Sequence, residues 1–112
     1  MRPAELLRRY VEAHNQIVRD GTSKDLAPLF AENATMIFVG IEVGPLVTRT
    51  AIDRAIHDRP PSDELTIGRI LEDDMRAIAP YRWLNDESAS GGEIVVEADG
   101  SAIVRLTIRV AQ

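Results

Sequence analysis

The sequence predicts an α+β fold in which a curved, mostly antiparallel sheet wraps around a long N-terminal helix. Three observations carry the prediction. From Pro3 to Asp20, apolar residues recur with the 3.6-residue period of a helix. Helical patterns stop at Pro60-Pro61, and the remainder of the chain reads as strands divided by Gly and Asp turns. The final strand alternates apolar and polar residues, the mark of a sheet with one buried face. Helices gathered ahead of a run of antiparallel strands pack on one side of the sheet they precede.

The first helix, Pro3 to Asp20, puts Leu7, Tyr10, Val11, His14, Ile17 and Val18 on one face and Arg8, Arg9, Glu12, Gln16 and Arg19 on the other. Pro3 suits a first turn, where a missing N–H is not felt, and Gly21 stops the helix. The stretch "TSKDLAPLFAENA" reads as a short second helix capped by Asp25, with Pro28 in its first turn and Leu26, Leu29 and Phe30 on its apolar side. "ATMIFVGIEVG" is a strand interrupted at Gly40 and Gly44. "TRTAIDRAIHDRPP" is a third helix. Thr50 and Asp53 stand at capping-box spacing, Ile52, Ala55 and Ile56 face inward, and the two prolines end it.

The other four strands are "ELTIGRILED", "MRAIAPYRWLND", "GEIVVEAD" and "AIVRLTIRVAQ". Turns at Asp73-Asp74, Ser90-Gly91-Gly92 and Asp99-Gly100 separate them. In the last strand Val104, Leu106, Ile108 and Val110 alternate with Arg105, Thr107 and Arg109. A helix crossing a curved sheet need not fill it at both ends, so a pocket is expected at one mouth.

Composition narrows the function. A chain of 112 residues makes one domain, 1–112, and 45% apolar residues suffice for a core. Apolar runs are short and broken by charge, so no membrane span or membrane partner is expected. "MRPAELLRRY" has neither the apolar core nor the cleavage site of a signal peptide. Cysteine is absent, which removes disulfides and thiolate metal sites and makes the cytoplasm the expected location. A net charge of −5 with scattered basic residues argues against nucleic acid as a partner.

Four segments in this order, "RRYVEAHN", "DLAPLFAENATMIFVG", "GPLVTRTAID" and "ADGSAIVRLTIRV", make the chain resemble the nuclear transport factor 2-like superfamily. That superfamily includes ketosteroid isomerases and SnoaL-like polyketide cyclases, and the resemblance covers nearly the whole chain. It implies a cone-shaped α+β barrel. It also implies a helix tyrosine that donates to a developing oxyanion, matched by Tyr10. A second donor, a protonated carboxylic acid on a late strand, falls at Glu93 when counted back from the "ADG" turn (the neutral acid of this family is a standard case of pKa tuning). The family's general base is an aspartate on the first strand, and Phe38 stands there. Phenylalanine cannot take a proton, so the family's own route of isomerisation is not expected here.

The candidate catalytic residues are therefore Tyr10, His14 and Glu93. His14 has a pKa range suited to proton transfer if it lines a cavity, or it is a core histidine bonded to a backbone carbonyl. Tyr10 lies one turn before it, so two polar tips emerge along one helix face. Glu93 opens a strand beside two glycines, and its plainer reading is a solvated edge residue, as it is for Glu97 on its face. Met36, Phe38, Tyr81 and Trp83 form the expected apolar wall for a ligand, at alternating strand positions. His57, in the last turn of the third helix, complements the helix dipole. The two histidines lack metal-ligand spacing, so no metal is expected. No P-loop, dinucleotide fingerprint or nucleophile elbow occurs, and no cofactor is expected.

The functional expectation is a domain that binds a small apolar molecule in the mouth of the cone. As an enzyme it would be an isomerase, cyclase or hydratase working by proton transfer. The alternative is a ligand-binding or dimerisation module without turnover. Ile94, Val96 and Ile103 are too many apolar residues for a solvated sheet face, which predicts an apolar patch on the outer face and a homodimer.

Overall fold

A computed structural model describes residues 1–86 and 91–111. Helix α1 (Pro3–Asp20) has the predicted bounds, and Gly21 ends it in the left-handed conformation at φ 74°. After it come a 3-10 turn (Ala27–Leu29), strands β1 (Phe30–Val39) and β2 (Leu46–Val47), helix α2 (Arg49–Asp58), and strands β3 (Leu65–Ile67), β4 (Leu71–Glu72), β5 (Arg76–Trp83), β6 (Gly92–Asp99) and β7 (Ala102–Val110). The sheet order is β2-β1-β7-β6-β5-β3, with β4 also paired to β5. Only β1 and β7 pair in parallel among the described strands. The architecture is the expected α+β one: a curved sheet, open at its β2 and β3 edges, with α1 laid across β5, β6 and β3.

The predicted face of α1 is the buried one. Leu6, Leu7, Tyr10, Val11, Ala13, His14 and Ile17 are all buried. Its N-terminus is held by a contact without a sequence signal. Glu72 of β4 accepts from the Ala4 N–H (3.0 Å) and from Arg2 Nε (2.9 Å). A carboxylate at that end offsets the helix dipole. Its pKa is held below the usual value first by the Arg2 hydrogen bond and then by the Ala4 N–H.

Four local expectations are corrected. The second helix shrinks to the 3-10 turn, and Asp25 makes no cap. Phe30 is extended, pairs with Ile103 and is 1% exposed, so core burial pulls it into β1. Helix α2 is capped not by Thr50 but by Thr48, whose hydroxyl accepts from the Ala51 N–H (3.2 Å). "ELTIGRILED" breaks into β3 and β4 around Gly68, where a Cβ would press on the Pro80 ring. In β7 the alternation slips, because Val104 is an extra residue against β6, between the pairs Glu97–Arg105 and Ala98–Ile103. Ile103 and Leu106 therefore both face inward although three apart, and such a bulge also bends the strand.

That slip matters for the outer face. Ile94, Val96 and Ile103 are fully buried in the core, so they supply no outer apolar patch. The row on the opposite face is Leu71, Ile78, Val95, Thr107 and Ile37, paired one to the next across β4, β5, β6, β7 and β1; Leu71 is exposed, Ile78, Thr107 and Ile37 are half-buried and Val95 is buried. Of the predicted turns, Asp73 closes the β4–β5 hairpin by accepting from the Met75 and Arg76 N–H groups, both at 2.9 Å. Ser90 lies outside the described residues. Its neighbours Gly91 and Gly92 are dictated by crowding, since a Cβ would overlap the carbonyl oxygens of Tyr81 and Arg109 respectively.

Candidate functional site

Side chains of α1 and of the sheet's inner face form a line of rings. Phe30 meets Tyr10 edge-on (centroids 6.3 Å apart), Tyr10 meets His14 (6.3 Å), and His14 meets Trp83 (6.2 Å). Trp83 then meets Tyr81 edge-on at 5.7 Å. Edge-to-face packing suits the ring quadrupoles. The line begins in the core and ends where β5 leaves the sheet. Tyr10, His14, Tyr81 and Trp83 of the expected site are thus brought together.

His14 is 8% exposed, and its Nε2 lies 2.9 Å from the Asp63 carbonyl oxygen. A carbonyl only accepts, so Nε2 carries the proton and Nδ1 keeps the lone pair. Burial lowers the pKa of the ring, opposed by the Asp63 hydrogen bond and the charges of Asp63 and Glu64. His14 is therefore neutral near pH 7. Tyr10, 2% exposed, has its pKa raised first by burial and then by the neighbouring Tyr81 phenol. Tyr81 is raised by burial too. Both phenols stay protonated and can donate. Neither makes a hydrogen bond to a described side chain or backbone group. Tyr81 borders the groove described below, whereas Tyr10 is enclosed by the core.

The remaining expected residues lie apart. Met36 is 4% exposed within the core, and Phe38 packs partly buried against it, in a row with Ile108, Ile94 and Ala79. Glu93 is exposed on the outer face, cross-strand from Pro80 and Arg109. Strand alternation puts it on the opposite side from Ile94, hence from Tyr10. The two donors of the ketosteroid isomerase pattern are not on one face. His57 ends α2 as expected, with Nδ1 2.9 Å from the Asp53 carbonyl and Nε2 3.2 Å from Ser23 Oγ.

A groove of about 1140 Å³ opens at the end of the sheet where β1, β5 and β7 finish and β6 starts. Tyr81 and Trp83 line it, with Val39, Leu84 and Val110 as further apolar wall. Arg82, Asp86, Glu93 and Arg109 give it polar edges. Tyr10, His14, Met36 and Phe38 do not border it.

Sequence reasoning missed the polar junction that joins this groove to α1. Asn15 clasps the backbone of Leu65 with two bonds, Nδ2 to the carbonyl (2.9 Å) and Oδ1 from the N–H (2.7 Å). Asp63 accepts from the N–H groups of Glu64 (2.8 Å), Asn85 (3.2 Å) and Asp86 (3.0 Å) and from Asn85 Nδ2 (3.0 Å). Desolvation alone would raise the Asp63 pKa, but these donors outweigh it and hold it below the usual value. The only trace in the sequence is that Asn15 follows His14, since both reach one neighbouring segment.

A scan against protein-family models finds no match, and a search of curated proteins finds none. Solved structures do match. A protein from Sphaerobacter thermophilus has a TM-score of 0.80 and 24% identity, covering 100% of this chain and 98% of its own. A candidate ketosteroid isomerase from Kribbella flavida has a TM-score of 0.79 and 19% identity, over 96% of this chain and 76% of its own. An NTF2-like protein of unknown function from Cytophaga hutchinsonii has a TM-score of 0.77 and 10% identity, over 99% of this chain and 91% of its own. Helix α1 across a curved, open sheet, together with these likenesses, shows that the chain has the nuclear transport factor 2-like fold.

Proposed function

We propose that this chain is a small-molecule-binding domain whose ligand lies in the groove at the β5–β6 end of the sheet. The observation that carries the reading is the Tyr81–Trp83 pair at the groove, one edge of an aromatic line that continues into the core. A concave site with aromatic walls and a few polar groups is the usual form of a ligand pocket. Apolar walls with Arg82, Glu93 and Arg109 at the edge fit a molecule with an apolar body and a polar end. No resident cofactor or metal enters this reading. Cysteine-free composition suits the reducing cytoplasm, where we place the protein.

Binding without turnover is favoured over isomerisation by three placements. Phe38 occupies the base position of the ketosteroid isomerase pattern, Glu93 faces away from Tyr10, and His14 Nε2 is engaged by Asp63. The isomerase reading keeps one support, two protonated phenols beside a neutral imidazole, with Tyr10 as oxyanion donor and His14 as proton carrier.

The assembly in this reading is a homodimer through the outer face. Its middle row, Leu71, Ile78, Val95, Thr107 and Ile37, is largely apolar, and Glu93, Arg109, Glu97 and Arg105 flank it. A second copy turned about an axis parallel to β6 and β7 lays the acidic β6 row on the basic β7 row. Light scattering at micromolar concentration should give twice the chain mass, and a monomer would remove the dimer.

The binding test uses the single tryptophan. Apolar molecules with a polar end should quench Trp83 saturably. Replacing Tyr81 by Leu should weaken the tightest ligand roughly tenfold, on the scale of one aromatic contact. Unchanged affinity would refute the groove. Turnover abolished by His14→Gln in a folded protein would instead establish the isomerase reading.

A further inference from the structure

The loop leaving β5 runs along the groove, and the Asp63 side chain holds it at Asn85 and Asp86. Leu84 and Asp86 line the groove, and Trp83 just before them packs against His14. Between them Asn85 is bound to Asp63 through its N–H (3.2 Å) and through Nδ2 (3.0 Å). The Asp86 N–H donates to the same carboxylate, at 3.0 Å from Oδ2. Asp63 is anchored from behind, since its carbonyl accepts from His14 Nε2 at 2.9 Å and its own Oδ1 accepts from the Glu64 N–H at 2.8 Å. A second tie runs beside it, from the Leu84 N–H to the Glu64 carbonyl at 2.8 Å. Leu65, two residues on, is fixed to α1 by Asn15.

We propose that Asp63 is a positioning residue of the groove, a clasp whose carboxylate fixes the wall at Leu84–Asp86 to the N-terminal helix. Three features support this assignment. An ionised carboxylate is an acceptor with room for about four hydrogen bonds, and the wall and Glu64 together supply donors for them. Charge-assisted bonds of this kind are stronger than neutral ones. The donors outside Glu64 all come from the wall, so the carboxylate spends its capacity on shaping the groove, while its backbone carbonyl and Asn15 secure β3 to the helix independently. Loss of the carboxylate would therefore loosen the wall at Asn85 and Asp86 and leave the Leu84 tie, the core and β3 in place.

The proposal rests on the reading of the groove as the ligand site, and the test separates the two. Asp63→Ala and Asp63→Asn are compared with the parent protein by amide hydrogen exchange and by binding of anilinonaphthalene sulfonate, followed through quenching of Trp83. In Asp63→Ala, exchange at Asn85 and Asp86 should rise roughly tenfold or more, the scale of a lost charge-assisted bond. Exchange at Leu65, held by Asn15, should not change and serves as the internal reference. Dye affinity should fall roughly tenfold as the wall loosens. Asp63→Asn keeps one acceptor oxygen and should fall between the two, a graded rescue that a merely structural residue would not give. If Asp63→Ala does not fold, Asp63→Asn carries both readouts. Unchanged exchange at Asn85 and Asp86 overturns the clasp. Loosened amides with unchanged dye affinity overturn the positioning role alone. A parent protein that does not bind the dye overturns the groove reading, and the positioning role with it.

Discussion

The two faces of the sheet are built from the same strands, one residue apart, and they put their polar groups to different uses. On the inner face the row Ala79, Ile94, Ile108 and Phe38 packs against the core, and the polar groups beside it are tied to backbone. His14 holds the Asp63 carbonyl and Asn15 holds Leu65. On the outer face the row Ile78, Val95, Thr107 and Ile37 lies between Glu93–Arg109 and Glu97–Arg105, whose charges meet solvent and the groove. A buried polar group needs a partner from the protein or from ordered water, whereas an exposed one is available to a binding partner. The chemistry suggested by the sequence sits on the inner face, and the accessible space sits at the sheet's end and around its outer side.

The largest expected contrast is between Ile94 and Ile78, on strands β6 and β5. Ile94 is fully buried, so Ile94→Ala should cost ~2–5 kcal/mol, the range for a large-to-small change that leaves a cavity. Ile78 is only partly covered, and Ile78→Ala should cost about 1 kcal/mol from the smaller area returned to water. Urea unfolding of the two variants measures the difference. Equal losses would mean that the outer row is as buried as the inner, and a loss at Ile78 that grows with protein concentration would locate the dimer there.

Next in size is His14. His14→Ala strands the Asp63 carbonyl and removes two ring contacts, for an expected loss of ~1–3 kcal/mol. The pH dependence has a definite sign. The folded-state pKa is lowered below the usual 6.5, so below pH 6.5 the unfolded chain takes up a proton that the folded chain refuses. Stability contributed by the neutral ring is complete above that value and falls as the pH drops toward the folded pKa. His14→Gln should flatten this part of the stability profile. A parent protein whose stability is level from pH 7 to 5, or rises on acidification, would contradict the burial of a neutral imidazole.

The fold was legible because its signals are periodic. Helix α1 showed in the spacing of Leu7, Tyr10, Val11, His14 and Ile17, and its end showed at Gly21, where φ is positive. That Tyr81 and Trp83 share one face of β5 was legible from alternation. The features that were not legible depend on contacts distant in sequence. The capping role of Thr48 needs its unusual φ of 85°, which no propensity favours for a β-branched residue. The bulge at Val104 is set by the pairing with β6, and it turned Ile103 inward against a clean two-residue period. Glu93 was aligned with a catalytic acid by counting along the chain, but the face it occupies is set by pairing with Pro80 and Arg109. Asp63 carries no local pattern, because all its donors except the adjacent Glu64 N–H come from residues 22 and 23 positions away.

A smaller effect is expected at Phe38, which lies in the inner row but is only partly buried. Phe38→Leu should lose ~1 kcal/mol, as an apolar exchange of similar shape. Phe38→Asp places a carboxylate against the core and should be much worse if the position is dry. Thermal unfolding of both variants decides the matter. Normal stability of Phe38→Asp, with an ordinary carboxylate titration, would show that water reaches this end of the inner face.

The smallest expected effect belongs to Glu93, and it tests the comparison most finely. Because successive side chains in a strand point to opposite faces, a register one residue out would bring Glu93 inside and Ile94 outside. In the structure Ile94 is 0% exposed and Glu93 is exposed, with an arginine across the strand. Glu93→Gln removes one charge at a solvated position and keeps the shape, so stability should stay within about 0.5 kcal/mol, the range of ordinary surface substitutions. A neutral, buried carboxylic acid facing Tyr10 would behave differently. Its amide replacement would disturb a hydrogen bond in the core, shift the ultraviolet titration of Tyr10 and change stability by more than a surface residue can. The measurement is the urea midpoint together with the tyrosine titration, in the parent and in Glu93→Gln. A change in both would place Glu93 beside Tyr10 and restore the two-donor arrangement of the isomerases. No change in either keeps the acid on the outer face, where its neighbours are Arg109 and the groove.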